Sequence, residues 1–366
     1  MVPTVLPGFD AHGDVEAETV RRVARAWLRG GIVGLPTETV YGLAADAQDA
    51  GAVARVYRAK GRPADHPLIV HVSGPAALDG WSARPNRAAH RLAEAFWPGP
   101  LTVIVERGPR AGDFITGGQE TVALRCPDHP VAHACIEALG RSSGDPARGV
   151  AAPSANRFGR VSPTRAQDVV DEVGDQLDPS RDLVVDGGPC AVGIESTIVD
   201  CTADPPRVLR PGAISQAQID ARLAEEPASG ATSAPIGVPR YEGAAPTIAV
   251  RTPGTLEAHY APAARVVLVE PQDRLEPTGL RTALGVGAHA PGQVGLLAAA
   301  RVATPPGWVR LVAPSTVEEY ARDLYTALRR ADELAIAVVV VVLPETASDP
   351  LAVALRDRLA RAARGR

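Results

Sequence analysis

The chain contains one lysine, Lys60; every other member of its 38 lysine-plus-arginine residues is arginine. A sequence that uses arginine wherever a cation serves, yet keeps one compact, rotatable ammonium, points to a site that needs it. Lys60 lies in Tyr57-Arg58-Ala59-Lys60-Gly61-Arg62-Pro63, where three cations fall within five residues and Gly-Arg-Pro breaks a helix. Lys and Arg converging at a turn hold triphosphate charge without a Walker loop. The chain continues through His66-Pro67-Leu68-Ile69-Val70-His71, a strand on which His71 shares a face with Ile69. His71 reads there either as a satisfied core histidine or as a site residue.

Three more segments could carry chemistry. Pro36-Thr37-Glu38-Thr39-Val40-Tyr41-Gly42 follows a strand and clusters hydroxyls around a carboxylate. It reads as a ligand loop or as a helix start capped by Thr37. Ala151-Ala152-Pro153-Ser154-Ala155-Asn156, running on to Ser162, pairs small side chains with short donors and acceptors. It holds no G-x-S-x-G elbow, so an anion-binding turn is favoured over a hydrolase serine. Asp186-Gly187-Gly188-Pro189 leads to Gly193-Ile194-Glu195-Ser196-Thr197 and then to Leu209-Arg210-Pro211-Gly212. Arg210 at a strand end reads as a phosphate contact or as a surface charge beside a turn. His129 and His133 stand four apart, but Pro-Val-Ala separates them, without the glutamate of H-E-x-x-H, so no metal role is assigned.

The elements that must position these residues follow from periodicity. Helices are expected over 14–29, 50–59, 84–96 and 130–139, and strands over 32–35, 68–72, 102–106, 121–125, 150–152, 183–186, 197–200 and 207–209. Short strands with scattered helices and no clean βαβ repeat indicate an α/β or α+β domain with a mixed sheet, over residues 10–220. Residues 221–263 form a Pro/Gly-rich linker, semi-rigid because of its prolines. From 264 to 366 strands at 265–269, 294–298, 309–312 and 335–343 combine with helices at 315–332 and 350–364. That pattern indicates a smaller, Rossmann-like open α/β domain, although neither G-x-G-x-x-G nor G-x-x-x-x-G-K-[ST] is present.

Bulk properties narrow the function class. The 366 residues are 45% hydrophobic and 22% charged, enough for sizeable cores. A net charge of −4, a pI near 6.1 and 4% aromatics argue against a direct grip on nucleic acid. Cys126, Cys135, Cys190 and Cys201 show no C-x-x-C spacing and read as reduced, buried thiols of a cytoplasmic protein. Neither a signal peptide nor a membrane span is expected.

Taken together, P-T-E-T-V-Y-G-L, K-G-R-P with P-L-I-V-H, F-W-P-G-P-L-T, A-P-S-A-N and G-I-E-S-T-I-V resemble the blocks of the threonylcarbamoyl-AMP synthase family, the YrdC-like domain. The likeness covers residues 15–215, and the linker with H-Y-A-P and the extra domain resemble the family's long form. The resemblance implies an open, twisted, largely parallel sheet with a concave positive cavity, in which ATP, L-threonine and bicarbonate meet. It implies L-threonylcarbamoyladenylate as product, with pyrophosphate released. The product would pass to a separate threonylcarbamoyl transferase that modifies tRNA to N6-threonylcarbamoyladenosine, so tRNA is met only indirectly. By motif, Lys60, Arg62, His66, Thr121, Ser154, Ser162, Arg210 and Tyr260 are implied around ATP, with Lys60 and Arg62 stabilising phosphate charge. Thr37, Thr39, His71, Arg125, Ala152 and Ser196 are implied around threonine, and Tyr260 as a lid over the nucleotide. No protein nucleophile is implied, and Mg²⁺ would be bound through ATP phosphates rather than protein side chains. Two departures stand out: His66 replaces a frequent Asn, and Pro253-Gly254-Thr255-Leu256-Glu257-Ala258 lacks the lysine of many relatives. The alternatives are a carbamoyl-adenylate-forming maturation enzyme and an RNA-binding, translation-associated module.

Overall fold

The computed structural model describes residues 3–84, 86–225, 250–254, 259–271, 290–345 and 349–365. Most of the linker, and the Thr255–Ala258 departure, lie outside the described residues. The described strands are β1 (Thr4–Pro7), β2 (Val33–Leu35), β3 (Gly42–Asp46), β4 (Ile69–His71), β5 (Leu101–Glu106), β6 (Thr121–Arg125), β7 (Val150–Ala151), β8 (Leu183–Asp186), β9 (Thr197–Asp200) and β10 (Arg207–Arg210) in the first domain. β11 (Arg265–Val269), β12 (Val294–Leu297), β13 (Val309–Val312) and β14 (Val338–Val342) form the second.

The first ten strands make one sheet in the order β1-β8-β2-β3-β7-β4-β6-β5-β9-β10. Four of its pairings are parallel and five antiparallel: β3 and β7 run against their neighbours, and β5–β6 and β9–β10 are antiparallel pairs as well. This is the mixed sheet that the residue pattern indicates, less parallel than the resemblance implied. Helices Ala17–Trp27 and Pro130–Ser143 pack together under one part of it, Trp27 being fully buried with its Nε1 donating to the Ala44 carbonyl at 3.1 Å. The second sheet is wholly parallel, β11-β14-β12-β13. Its strand β14 is five valines buried on both faces, as parallel strands covered by helices are. All four cysteines are unpaired and buried, and burial pushes the thiols of Cys126, Cys135 and Cys201 up to about 12. They are inert as nucleophiles.

The sheet brings the chemistry-bearing residues together at strand ends. His71 and Arg125 are paired neighbours on β4 and β6. Ser154 follows β7 and bridges to Gly42 at the start of β3. Ser196 immediately precedes β9, and Arg210 ends β10.

Candidate active site

The cationic turn is built by helix termination. Asp49 caps the helix Ala50–Lys60, its side chain accepting from Gly51 N and Ala52 N, and Gly61 ends it in the left-handed region at φ 60°. Lys60 is thereby held inside the protein, 2% exposed. Its Nζ donates to the carbonyls of Ser154 and Asn156, the latter at 2.5 Å. Arg62 Nη2 donates to the Pro67 carbonyl at 2.8 Å, and its guanidinium lies 5.7 Å from the Phe158 ring centroid. Across the cavity Arg210 donates from Nε and Nη2 to the Ser196 carbonyl, at 3.0 and 2.9 Å. Among the described residues no carboxylate pairs with Lys60, Arg62 or Arg210. Burial first, and then the charge of Arg62, holds Lys60 well below its ordinary pKa, while burial alone pulls Arg62 down to about 10. Buried, unneutralised cations favour an incoming anion.

The opposite wall suits an amino acid. Arg125 Nη2 pairs with Glu38 at 2.5 Å, and its Nη1 donates to Thr39 Oγ1 at 2.7 Å. Thr37 and Thr39 share a hydroxyl contact of 2.9 Å, as do Ser196 and Thr102 at 2.7 Å. His71 is fully buried, and desolvation followed by the charge of Arg125 lowers its pKa to about 3. It is therefore a neutral ring.

The described C-terminal part of the linker covers the cavity. Arg210 Nη1 donates to the Pro253 carbonyl at 2.9 Å, and Gln119 and Arg251 exchange two backbone-to-amide bonds. Tyr260 sits at φ 62°, its ring 4.1 Å from that of His259. Left-handed backbone at a non-glycine residue is strained and persists where surroundings fix it. With this cover in place the free interior is about 50 Å³, against the ~300–1,000 Å³ of a typical small-molecule site. Five buried polar atoms at the cavity walls have no protein partner: Arg62 Nε, His71 Nδ1, Asn156 Oδ1, His259 Nδ1 and the Tyr260 hydroxyl. Such clustering marks a surface built for a polar ligand.

Eleven of the fourteen residues expected from sequence line this one cavity: Thr37, Thr39, Lys60, Arg62, His71, Arg125, Ala152, Ser154, Ser196, Arg210 and Tyr260. Three do not. His66 is half-buried, its ring edge-on to Phe158 at 5.3 Å. Thr121 opens β6 opposite Glu106. Ser162 is buried, and its hydroxyl donates to Glu195 at 2.7 Å. Missed by the sequence reading were Phe158, Glu195 and His259, which line the cavity, and Glu38, which holds Arg125. A carboxylate inside Gly193-Ile194-Glu195-Ser196 was the available signal, since buried carboxylates need partners. Thr37 opens a loop between two strands, not a helix. His129 and His133 each direct Nε2 at a backbone carbonyl, of Gly187 and Ser73.

The family described as "Telomere recombination" matches residues 25–212, and the "Threonylcarbamoyl-AMP synthase, C-terminal domain" matches residues 214–364. The chain is 35% identical to the threonylcarbamoyl-AMP synthase of Pyrococcus abyssi, across 93% of each chain. It is 36% identical to that of Bacillus subtilis, across 92% of this chain and 90% of the other. The crystal structure of P. abyssi Sua5 complexed with L-threonine superposes with a TM-score of 0.81 at 33% identity, covering 99% of this chain and 98% of that one.

The neutral His71 gives a pH prediction. Its folded pKa of about 3 lies below the ordinary 6.5, so its contribution to stability is complete above pH 6.5 and is lost as pH falls toward 3. Between pH 6.5 and 5 it should cost the wild type about 2 kcal/mol. Thermal melts of His71→Gln should therefore fall less steeply over that interval; parallel slopes would contradict the assignment.

Proposed function

The chain belongs to the threonylcarbamoyl-AMP synthase family, and from that premise we propose how its cavity performs the synthesis. The protein makes L-threonylcarbamoyladenylate, the activated intermediate for N6-threonylcarbamoyladenosine in tRNA. The supporting observation is one cavity that joins Lys60, Arg62 and Arg210, none of them ion-paired among the described residues, to a wall of Thr39, His71, Arg125 and Ser196.

In this reading the first cluster takes the triphosphate of ATP and the second takes L-threonine. The threonine amine attacks the carbon of bicarbonate; hydroxide is expelled and leaves as water with a proton from the amine. A carbamate oxygen then attacks the α-phosphorus of ATP, the bond to the β-phosphate oxygen breaks, and pyrophosphate departs. No side-chain nucleophile is required. Lys60 and Arg62 neutralise charge that grows on the leaving pyrophosphate, and positioning does the rest. Neutral His71 adds no charge beside the attacking amine. Arg125 is engaged by Glu38 and Thr39, so it meets threonine's carboxylate through its remaining N–H groups, with the fork already oriented.

No cluster of three His, Cys, Asp or Glu side chains suited to a metal occurs among the described residues. In the proposed reading Mg²⁺ enters with ATP, held by phosphates and water. No described helix is long and apolar enough to cross a membrane. In the proposed reading the protein works in the cytoplasm and delivers the adenylate to a transferase. The narrow closed interior requires the Thr252–Gly254 and His259–Tyr260 cover to open for ATP. Closed again, it keeps water from the anhydride.

Four outcomes test this reading. Pyrophosphate release should require threonine and bicarbonate together; release with ATP alone at the same rate would refute it. Lys60→Ala should lower that release at least ~10²-fold, about 2.7 kcal/mol of transition-state stabilisation. Near-normal turnover would remove Lys60 from the site. Arg125→Ala should raise the KM for threonine more than that for ATP, and the reverse order would overturn its placement. Gly254 has φ 77°, and a Cβ there would lie 2.3 Å from the Tyr260 hydroxyl. Gly254→Ala should thus lower turnover by at least ~10-fold through a displaced cover; unchanged turnover would mean that the cover is not needed.

A further inference from the structure

The second domain reaches into the wall of the cavity. Glu195, one residue from Ser196, is buried and lines it. Its Oε1 accepts from Ser162 of the first domain at 2.7 Å. Its Oε2 accepts from two side chains of the second: Tyr325 Oη at 2.8 Å and Arg358 Nε at 3.0 Å. Tyr325 lies on the helix Val317–Glu333 and Arg358 on the helix Pro350–Ala363.

Arg358 has no exposure. Besides Glu195 it donates from Nη2 to the Pro211 carbonyl at 2.9 Å, next to Arg210, and from Nη1 to Asp357 at 2.7 Å. Its guanidinium lies 5.6 Å from the ring centroid of Tyr260, which is also stacked on Tyr325 at 5.6 Å and 29°. The loop carrying Glu195 is shaped for this docking. Gly193 has φ 80°, and a Cβ on it would stand 2.5 Å from Arg322 Cα on the second domain's helix. The G-I-E-S-T segment therefore fits the second domain as closely as it fits the cavity.

The charge balance explains the arrangement. An unpaired carboxylate in this wall would repel a triphosphate and draw Arg210 away from it. Burial alone would raise the Glu195 carboxyl, but Arg358 and then Arg210 outweigh it and hold it below the ordinary value. The carboxylate is thus ionised and needs a counter-charge that is not one of the phosphate-binding cations.

We infer that Arg358 is a positioning residue for adenylate synthesis: it neutralises Glu195, leaves Lys60, Arg62 and Arg210 free for phosphate, and backs the ring of Tyr260 so that the second domain forms the rear wall of the cover. A buried pair serving only to join two domains would touch neither the cover nor the cavity wall.

The inference rests on the proposed reaction, and wild-type pyrophosphate release dependent on threonine serves as the control that separates the two. With that control positive, full-length Arg358→Met should raise the KM for ATP by roughly 10-fold, with a smaller change for threonine. Adding Glu195→Gln, which removes the charge that Arg358 balances, should bring the ATP KM back to within about 3-fold of wild type. An unchanged ATP KM in Arg358→Met, an equal rise for both substrates, or no recovery in the double variant would overturn the inference. Should Arg358→Met fail to fold, Arg358→Lys keeps a cation beside Glu195 without the planar fork. It should raise the ATP KM by about 3-fold, again more than that of threonine; no rise, or an equal rise for threonine, would overturn it.

Discussion

The structure is organised around positive charge that the first domain buries and does not neutralise. Lys60, Arg62 and Arg210 converge on one cavity, yet their hydrogen bonds go to backbone carbonyls of Ser154, Asn156, Pro67, Ser196 and Pro253 and to the Ser196 hydroxyl. Carbonyl dipoles orient a cation without cancelling it, so the groups remain available to an anion. Keeping such charge away from water costs stability, and in the proposed reading the surrounding sheet and an incoming polyanion offset that cost. Elsewhere the chain treats buried charge in the opposite way. Arg125 has Glu38, Arg148 has Asp46, and Arg358 has Glu195.

That contrast assigns roles to the two domains. The first supplies the cations and the amino-acid wall. In the proposed reading the second lends no cation to the phosphates among the described residues, but its Tyr325 and Arg358 hold Glu195 and support Tyr260 from behind. A lid that must open and reclose benefits from a fixed surface to close against, and the stacked Tyr260–Tyr325 pair provides it.

Much of this was legible in the sequence. β-branched runs marked the strands Leu101–Glu106, Thr121–Arg125 and Val338–Val342, and a solitary lysine in an arginine-rich chain marked the cationic turn. What was not legible depends on distance or on plain composition. The strand Gly42–Asp46 is Gly-Leu-Ala-Ala-Asp, buried on both faces and lacking β-branched residues, so no alternation announces it. Thr4–Pro7 becomes a strand only because Leu183–Asp186 lies beside it. The helices Ala166–Val173 and Gln216–Ala224 are too short for periodicity to stand out. Glu38 was visible inside its motif, but its partner Arg125 is 87 positions away. Glu195 finds its partners 130 and 163 positions away in another domain, a pairing that no local pattern encodes.

The central claim is that the buried cations read the β- and γ-phosphates of a nucleotide. Calorimetric titration of the full-length protein with ATP and with AMP tests it most directly. The account predicts that ATP binds at least ~10-fold more tightly than AMP, a difference of about 1.4 kcal/mol. Equal affinities for the two nucleotides would contradict it.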